Sequence, residues 1–109
     1  MSFDDLVNRT IEVNNRFKAK LGKRGRVLSL VNEVGELADA LLIFEGHKPK
    51  GTKGKQKTKD DISDAVSDIL YNLIIFAQHY DLDIAKEYKK MLDSLDERFK
   101  EKEFVGKDE

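Results

Sequence analysis

Apolar residues recur at a spacing close to 3.6 residues in four separate stretches of this chain. That spacing places apolar side chains on one face of an α-helix, and no stretch shows the useful length of alternation expected of a β-strand. The pattern predicts an all-α protein, a four-helix bundle in a single domain spanning residues 1–109, with Ser2 as the first N-cap. The predicted helices lie at about residues 3–21, 27–45, 60–80 and 84–100. Short connections favour antiparallel packing of the first helix on the second and of the third on the fourth.

The composition narrows the class of protein further. The chain has 109 residues, a formal net charge of −1 and no cysteine, which excludes disulfides and thiolate metal sites and favours a cytoplasmic location. No apolar stretch approaches the length of a membrane span, so we expect no membrane partner. A domain this small buries a modest fraction of its surface, and the second half of the third helix is apolar nearly all round. We therefore expect a homodimer or homotetramer.

The segment at 47–59 is predicted to be a basic, mobile surface loop. It contains six lysines and Pro49 but no apolar residue, and it lacks the spacing of a phosphate-binding P-loop. Lys57 and Lys59 are candidates for contacts with the phosphates of an anionic substrate, although a polar linker without function explains the composition equally well. The near-neutral charge of the chain and the lack of aromatic residues in this loop argue against a nucleic-acid partner.

Two of the predicted helices carry carboxylates in otherwise apolar surroundings. Glu33 and Glu36 lie one turn apart on the second helix, and Asp64 and Asp68 lie one turn apart on the third. If the two faces oppose each other, the carboxylates must be protonated, paired with bases or bound to a cation. An oxygen-only set favours Mg²⁺, whereas neither histidine has the spacing of a zinc ligand. Solvated helix faces are the alternative for both pairs.

These acidic motifs resemble those of a known family. The segment "LVNEVGELADAL", followed after a loop by "DAVSDILYNLIIFAQHYDLDI", is similar to the MazG-type all-α nucleoside triphosphate pyrophosphatases, over roughly residues 27–84. That family has an E-x-x-E motif on one helix and E-x-x-D on a later helix. Glu33 and Glu36 match the first motif, and Asp68 matches the last residue of the second. Ala65 stands where the remaining glutamate is expected, so Asp64 is the substitute ligand.

The resemblance implies hydrolysis of a nucleoside or deoxynucleoside triphosphate to the monophosphate and pyrophosphate, in clearance of unwanted nucleotides. Mg²⁺, with Mn²⁺ as an alternative, would be held by Glu33, Glu36, Asp64 and Asp68, with Glu36 as the candidate general base toward water. For the sugar or base, the candidate side chains are two on the third helix and two on the first: Tyr71, Asn72, Asn14 and Phe17. Phe17 also fits a role in the core.

Two other functions remain open at this point. The Ala65 departure is compatible with a non-catalytic helical oligomer or regulator whose acidic site has degenerated. Phosphoribosyl-ATP pyrophosphohydrolase, which shares the helical architecture by resemblance, is a further alternative within the enzyme class. The first alternative predicts no hydrolysis of any common triphosphate and no stabilisation by Mg²⁺.

Overall fold

The computed structural model describes residues 1–47 and 57–102, with side chains described through residue 100. Within these ranges the chain forms four helices and no strand: α1 (Phe3–Asn14), α2 (Lys23–Phe44), α3 (Lys59–His79) and α4 (Ile84–Lys102). The prediction of an all-α four-helix bundle is confirmed. None of these helices, as far as they are described, combines the length and apolar character needed to cross a lipid bilayer. Most of the predicted loop, residues 48–56, lies outside the described ranges.

Helix α1 begins as predicted and ends earlier than predicted. Ser2 Oγ accepts a hydrogen bond from the Asp5 backbone N–H, and an Asp5 carboxylate oxygen accepts one from Ser2 N–H, each at 3.1 Å. This reciprocal capping box satisfies backbone donors that the first helical turn leaves unpaired. The helix ends at Asn14 because asparagine is a poor helix former and its side chain is used in buried hydrogen bonds. The predicted extension to residue 21 was wrong.

Helix α2 begins four residues earlier than predicted. Gly22 is its N-cap, and Gly25 lies inside the first turn of the helix. A Cβ on Gly25 would lie 3.2 Å from side-chain atoms of Leu21, because the connection folds back against the helix start. Because of this early start, Arg26 is a helical residue, and its guanidinium donates hydrogen bonds to Asn14 of α1 and Asn72 of α3.

Helix α3 is the central element of the packing. Thr58 and Asp61 form a second capping box, in which an Asp61 carboxylate oxygen accepts from the Thr58 N–H at 2.8 Å. The helix therefore starts at Lys59. This residue was predicted to be the last of the loop, but it is helical. Helix α3 packs against α2 and α1, and α1 also packs against α4. The expectation that α1 packs chiefly on α2, and α3 on α4, was wrong.

The buried core of the described chain is small. It consists of six apolar side chains from α2 and α3: Ala40, Ile43, Ala65, Ile74, Ile75 and Ala77. Many larger apolar side chains stay exposed, including Leu28 at 70% and Val31 at 65% on α2 and Phe99 at 52% on α4. The radius of gyration is 17.6 Å, whereas a compact chain of this length has about 13 Å. The helices are thus arranged openly, with large apolar faces in contact with solvent.

Candidate functional site

Where α2 lies against α3, the Glu33 carboxyl hydrogen-bonds with Asp68 and is close enough to Glu36 to be influenced by its charge. Glu33 and Glu36 come from α2, and Asp68 comes from α3; we call these three residues the acidic cluster. Helical spacing alone would put the α2 pair on one side, and it is the packing of α2 on α3 that adds Asp68. Glu33 is half-buried, while the side chains of Glu36 and Asp68 remain exposed. The sequence analysis predicted that four carboxylates, these three and Asp64, would converge.

Glu33 is electrostatically the most unusual member of the cluster. Desolvation by burial raises the pKa of its carboxyl above the ordinary value, and the charges of Asp68 and Glu36 raise it further. A side-chain hydrogen bond with Asp68 acts in the same direction, since it favours the protonated form of Glu33. Its Oε1 atom is buried and has no hydrogen-bond partner among the described residues. A buried, unsatisfied carboxylate oxygen beside two further carboxylates is an environment that a bound cation would stabilise.

Glu36 faces a second environment. One of its carboxylate oxygens accepts a hydrogen bond from Asn32 Nδ2 at 3.2 Å. Glu36 lines a cavity of about 550 Å³ together with Asp39 and Lys57, which brings one of the two candidate lysines to the acidic side chains. Lys59, the other candidate lysine, is exposed at the start of α3. An exposed carboxylate with one weak donor keeps lone pairs available for water or a cation.

Asp64 is the fourth carboxylate of the predicted set, one turn before Asp68 on α3. It is exposed on α3, and it is not among the charges that raise the pKa of Glu33. Over residues 1–47 and 57–102, no group of three or more histidine, aspartate or glutamate side chains is arranged to hold a metal ion. The donors that do approach each other, Glu33 and Asp68, suit Mg²⁺, which is commonly held by one or two carboxylates together with waters and substrate phosphates. The two carboxylates therefore fit the ion as part of its coordination shell.

Beside the acidic cluster lies a buried hydrogen-bond network centred on Arg26. Its Nη1 donates to Asn72 Oδ1 at 2.8 Å and its Nη2 donates to Asn14 Oδ1 at 3.0 Å. The Tyr71 hydroxyl donates to the same Asn14 oxygen at 2.9 Å, and the guanidinium lies 5.4 Å from the centre of the Tyr71 ring. Asn72 also donates weakly to Ser29 Oγ and to the backbone carbonyl of Asp68. The network ties α1, α2 and α3 together.

Within residues 1–47 and 57–100, the buried Arg26 guanidinium forms no ion pair. The residue is only 8% exposed, and its two hydrogen-bonded partners are neutral amides. Its Nε–H is buried and has no partner among the described residues, and no ion pair is formed there. Sequence reasoning missed Arg26. A signal was present, because Arg26, Ser29 and Glu33 follow each other at i, i+3 and i+7, which marks a polar stripe inside an apolar helix.

A cavity of about 400 Å³ opens between the end of α1, the following connection and the start of α2. Its lining includes Asn14, Phe17, Arg26, Asp68 and Tyr71, and most of the remaining lining is apolar. We call it the Arg26 cavity. Three of the four side chains predicted to contact a sugar or base meet there. The fourth, Asn72, is 5% exposed and lies behind Arg26, where it holds the guanidinium. Asp68 belongs to both the cavity and the acidic cluster.

Comparison with known proteins adds no further constraint on this site. No family model, no curated protein and no solved structure matches the chain.

Proposed function

We propose that this chain is a divalent-cation-dependent pyrophosphohydrolase that converts a nucleoside or deoxynucleoside triphosphate to the monophosphate and pyrophosphate. The observation that carries the proposal is Glu33, whose buried and unpaired carboxylate oxygen lies in a cluster with Asp68 and Glu36. Such a cluster is unfavourable in the absence of a cation and favourable in its presence. The resemblance of "EVGELADAL" and "DAVSDILY" to the MazG-type pyrophosphatases supports the same activity.

The neighbouring features suit a nucleotide as the substrate. Asp68 contacts both environments, so phosphates held near the acidic cluster would leave the base directed toward the Arg26 cavity. Phe17 and Tyr71 offer aromatic surfaces in that cavity, and its volume is within the range of about 300–1,000 Å³ usual for small-ligand pockets. Lys57, beside Glu36, has the charge to contact a phosphate oxygen.

Each acidic residue then has a definable task. Glu33 and Asp68 would hold Mg²⁺, or Mn²⁺, by one carboxylate each, and the ion when bound would neutralise phosphate oxygens. Glu36 is exposed and borders an open cavity, so it would accept a proton from the attacking water. Water would supply one oxygen to the products, and the bond between a phosphorus atom and the oxygen that bridges the α and β phosphorus atoms would break. Asp64, one turn from Asp68, would act on the ion only after a side-chain rearrangement.

The exposed apolar surface supports assembly of at least two copies of the chain, as a homodimer or homotetramer. Leu28 and Val31 lie on one side of α2, three residues apart, and both are largely exposed. Exposed apolar faces of this extent mark protein interaction surfaces. Val31 also borders the cavity of about 550 Å³ that Glu36 lines. A second copy packed on Leu28 and Val31 would therefore shield Glu36 from solvent. Water exclusion would strengthen the electrostatic interactions at the acidic cluster.

A second candidate function, that of a non-catalytic helical oligomer or regulator, is favoured by one observation. Ala65 occupies the position of a family glutamate, and it is buried at 9% exposure in the core of α2 and α3. A glutamate would not fit there without a desolvation cost, so the chain has given up one ligand of the family pattern for packing. This candidate predicts that the three remaining carboxylates bind no cation tightly.

A pyrophosphate-release screen with Mg²⁺ over canonical and modified triphosphates, including phosphoribosyl-ATP, tests the proposal. We expect release from at least one substrate and a loss of about 100-fold or more in Glu36→Gln, which is the range of general acid–base contributions. Asp68→Asn should also lose activity, because it removes a carboxylate that would hold the ion. Glu97→Gln is the matched control, because Glu97 is exposed on α4, away from the cluster. Absence of release with every substrate, together with no thermal stabilisation by Mg²⁺, would favour the non-catalytic candidate.

A further inference from the structure

We propose that two copies of the chain associate through antiparallel packing of their α2 helices, and that each copy closes the cavity of about 550 Å³ that Glu36 lines in the other. We call this cavity the Glu36 cavity. The inference rests on the proposed function for the role of Glu36, and it deepens that function by naming the direction of the helices and the surface that completes the site.

Helix α2 has apolar residues on two opposite faces. One face packs against α3 and contributes Ala40 and Ile43 to the core. The opposite face carries five exposed residues at alternating spacings of three and four, which we call the α2 seam: Leu28, Val31, Gly35, Ala38 and Leu42. This spacing is typical of a helix that packs lengthwise against another helix. A helix with apolar residues on both sides is normally covered on both sides, and the described residues cover only one.

Gly35, at the centre of the seam, has no explanation within a single copy. Glycine inside a helix is less stable than alanine, and Gly35 does not have a positive φ that would require it. A Cβ on Gly35 would also meet no described atom within 4 Å. The next seam residue, Ala38, is small as well. Small side chains allow two helix axes to approach closely, so a second helix lying over this point accounts for both residues.

The two edges of the seam identify the occupant and its direction. One edge is apolar and consists of Val27, Val34 and Leu41, which are all exposed. The other edge is polar and includes Asn32 and Asp39. In a parallel pair of α2 helices, the apolar edge of each helix would face the polar edge of the other, whereas in an antiparallel pair like edges meet. The seam is therefore self-complementary when the helices are antiparallel, which favours a second copy as the occupant.

The polar edge of the seam leads directly into the Glu36 cavity. The cavity lining includes two seam residues, Val31 and Gly35, so a helix packed on the seam would also form a wall of the cavity. If the small residues of the two helices lie against each other, Gly35 against Ala38, then Asn32 lies close to Asp39 of the partner subunit. Asn32 Nδ2 carries two N–H groups, and one of them donates to Glu36 at 3.2 Å. The second N–H would donate to the partner's carboxylate and so fix the amide that holds Glu36.

The first test measures self-association of the full chain and of Gly35→Gln by sedimentation equilibrium. Glutamine is a better helix former than glycine, so at a position that faces only solvent it would raise Tm and leave self-association unchanged. Against a closely packed second helix it would be too large. We therefore expect a wild-type dimer and a dimer Kd at least about tenfold higher in Gly35→Gln, with helical content kept in circular dichroism. Ser94→Gln, at an exposed position on α4, is the matched control and should associate like the wild type.

The second test measures the direction of the helices. The chain has no cysteine, so single-cysteine variants at the exposed positions Arg24 and Glu45 each carry one spin label per copy. With Gly35 against Ala38 and a rise of 1.5 Å per residue, antiparallel helices separate the two labels by about 35 Å at position 24 and about 25 Å at position 45. Parallel helices would bring both label pairs to about 10 Å.

The third test measures closure of the Glu36 cavity. A single cysteine in Asn32→Cys should lose reactivity toward a thiol reagent when the protein concentration is raised above the dimer Kd. Glu97→Cys, at an exposed position on α4, is the control and should react at the same rate at both concentrations. An equal rate for Asn32→Cys at both concentrations would overturn the closure of the cavity by the partner.

Three other results would overturn the interface. These are a wild-type chain that stays monomeric, self-association that Gly35→Gln leaves unchanged, and short distances at both label positions. Failure of the interface is distinguishable from failure of the proposed function. Pyrophosphate release by a monomer would leave the activity standing and remove the interface. A dimer with the expected label distances that hydrolyses no triphosphate would support the interface and count against the enzyme.

Discussion

Replacing Glu33 with glutamine should stabilise the metal-free protein at neutral pH. The wild-type carboxylate has a buried Oε1 without a partner, lies beside Asp68 and Glu36, and has a raised pKa in the folded state. Leaving such a group unsatisfied costs about 1–3 kcal/mol, and partial exposure of the side chain places Glu33 at the low end, about 1 kcal/mol. Glutamine is neutral, and its amide can donate to Asp68. For a chain of this size, about 1 kcal/mol corresponds to a rise in Tm of about 4 °C.

The pH dependence of this effect has a definite sign. Because the folded-state pKa of Glu33 lies above its unfolded value, Glu33 imposes no penalty below the unfolded pKa, where both states are protonated. The penalty develops as the pH rises through the folded pKa, and it is complete above it. The difference in Tm between Glu33→Gln and wild type should therefore be near zero at about pH 4 and largest at about pH 7.5. Thermal unfolding followed by circular dichroism in the presence of a chelator measures it.

Added Mg²⁺ should reverse the order of the two proteins. A cation bound by Glu33 and Asp68 would stabilise the wild type according to its concentration, while Glu33→Gln would lose most of this gain. Glu97→Gln on α4 serves as the matched control and should follow the wild type throughout. The electrostatic reasoning is refuted if Glu33→Gln is less stable than wild type without metal, or if its advantage is the same at both pH values.

Three further predictions concern the network, the exposed surface and a helix cap. Asn72→Ala should lower the free energy of unfolding in urea by about 2 kcal/mol, because it leaves Arg26 Nη1 buried and unpaired; a loss near zero would mean that water replaces the amide. Leu28→Asp should shift the sedimenting species toward monomer while the helical content is kept, and unchanged self-association would rule out this face of α2 as the interface. Ser2→Ala should cost about 1 kcal/mol in urea unfolding, whereas the exposed Ser94→Ala control on α4 should stay within about 0.5 kcal/mol; equal losses would contradict the capping box.

The helix boundaries show where sequence reasoning was sufficient and where it was not. Ser2 was predicted as an N-cap from its type and its position before an apolar repeat, and the structure confirms it. The end of α1 was misplaced because Phe17 and Leu21 continue the apolar spacing past Asn14. Periodicity registers only whether a residue is apolar. It does not register that the Asn14 side chain accepts hydrogen bonds from Arg26 and Tyr71, which favours a helix end at that position.

The candidate site divides in the same way. Spacing placed Glu33 with Glu36 on one helix and Asp64 with Asp68 on another, and the packing of α2 on α3 brings Asp68 close to Glu33. Asp64 was predicted to join that group because it shares a helix face with Asp68; in the structure it is exposed on α3 and does not contribute to the raised pKa of Glu33. Asn72 was predicted to contact a sugar or base; in the structure it is buried and accepts a hydrogen bond from Arg26. These differences depend on where one helix axis lies relative to another, and a spacing pattern within one helix contains no such information.

The sequence by itself determined the all-α class, the number of helices and the residues that carry acid on α2 and α3, because these follow from periodicity and side-chain chemistry within single helices. Only the tertiary structure decided which charges are buried. Glu33 and Arg26 lie seven residues apart on the same polar stripe of α2. Each is desolvated only because other helices pack against that stripe. Desolvation is a property of the assembled helices, so the buried cation and the unpaired carboxylate oxygen become visible only in the folded chain.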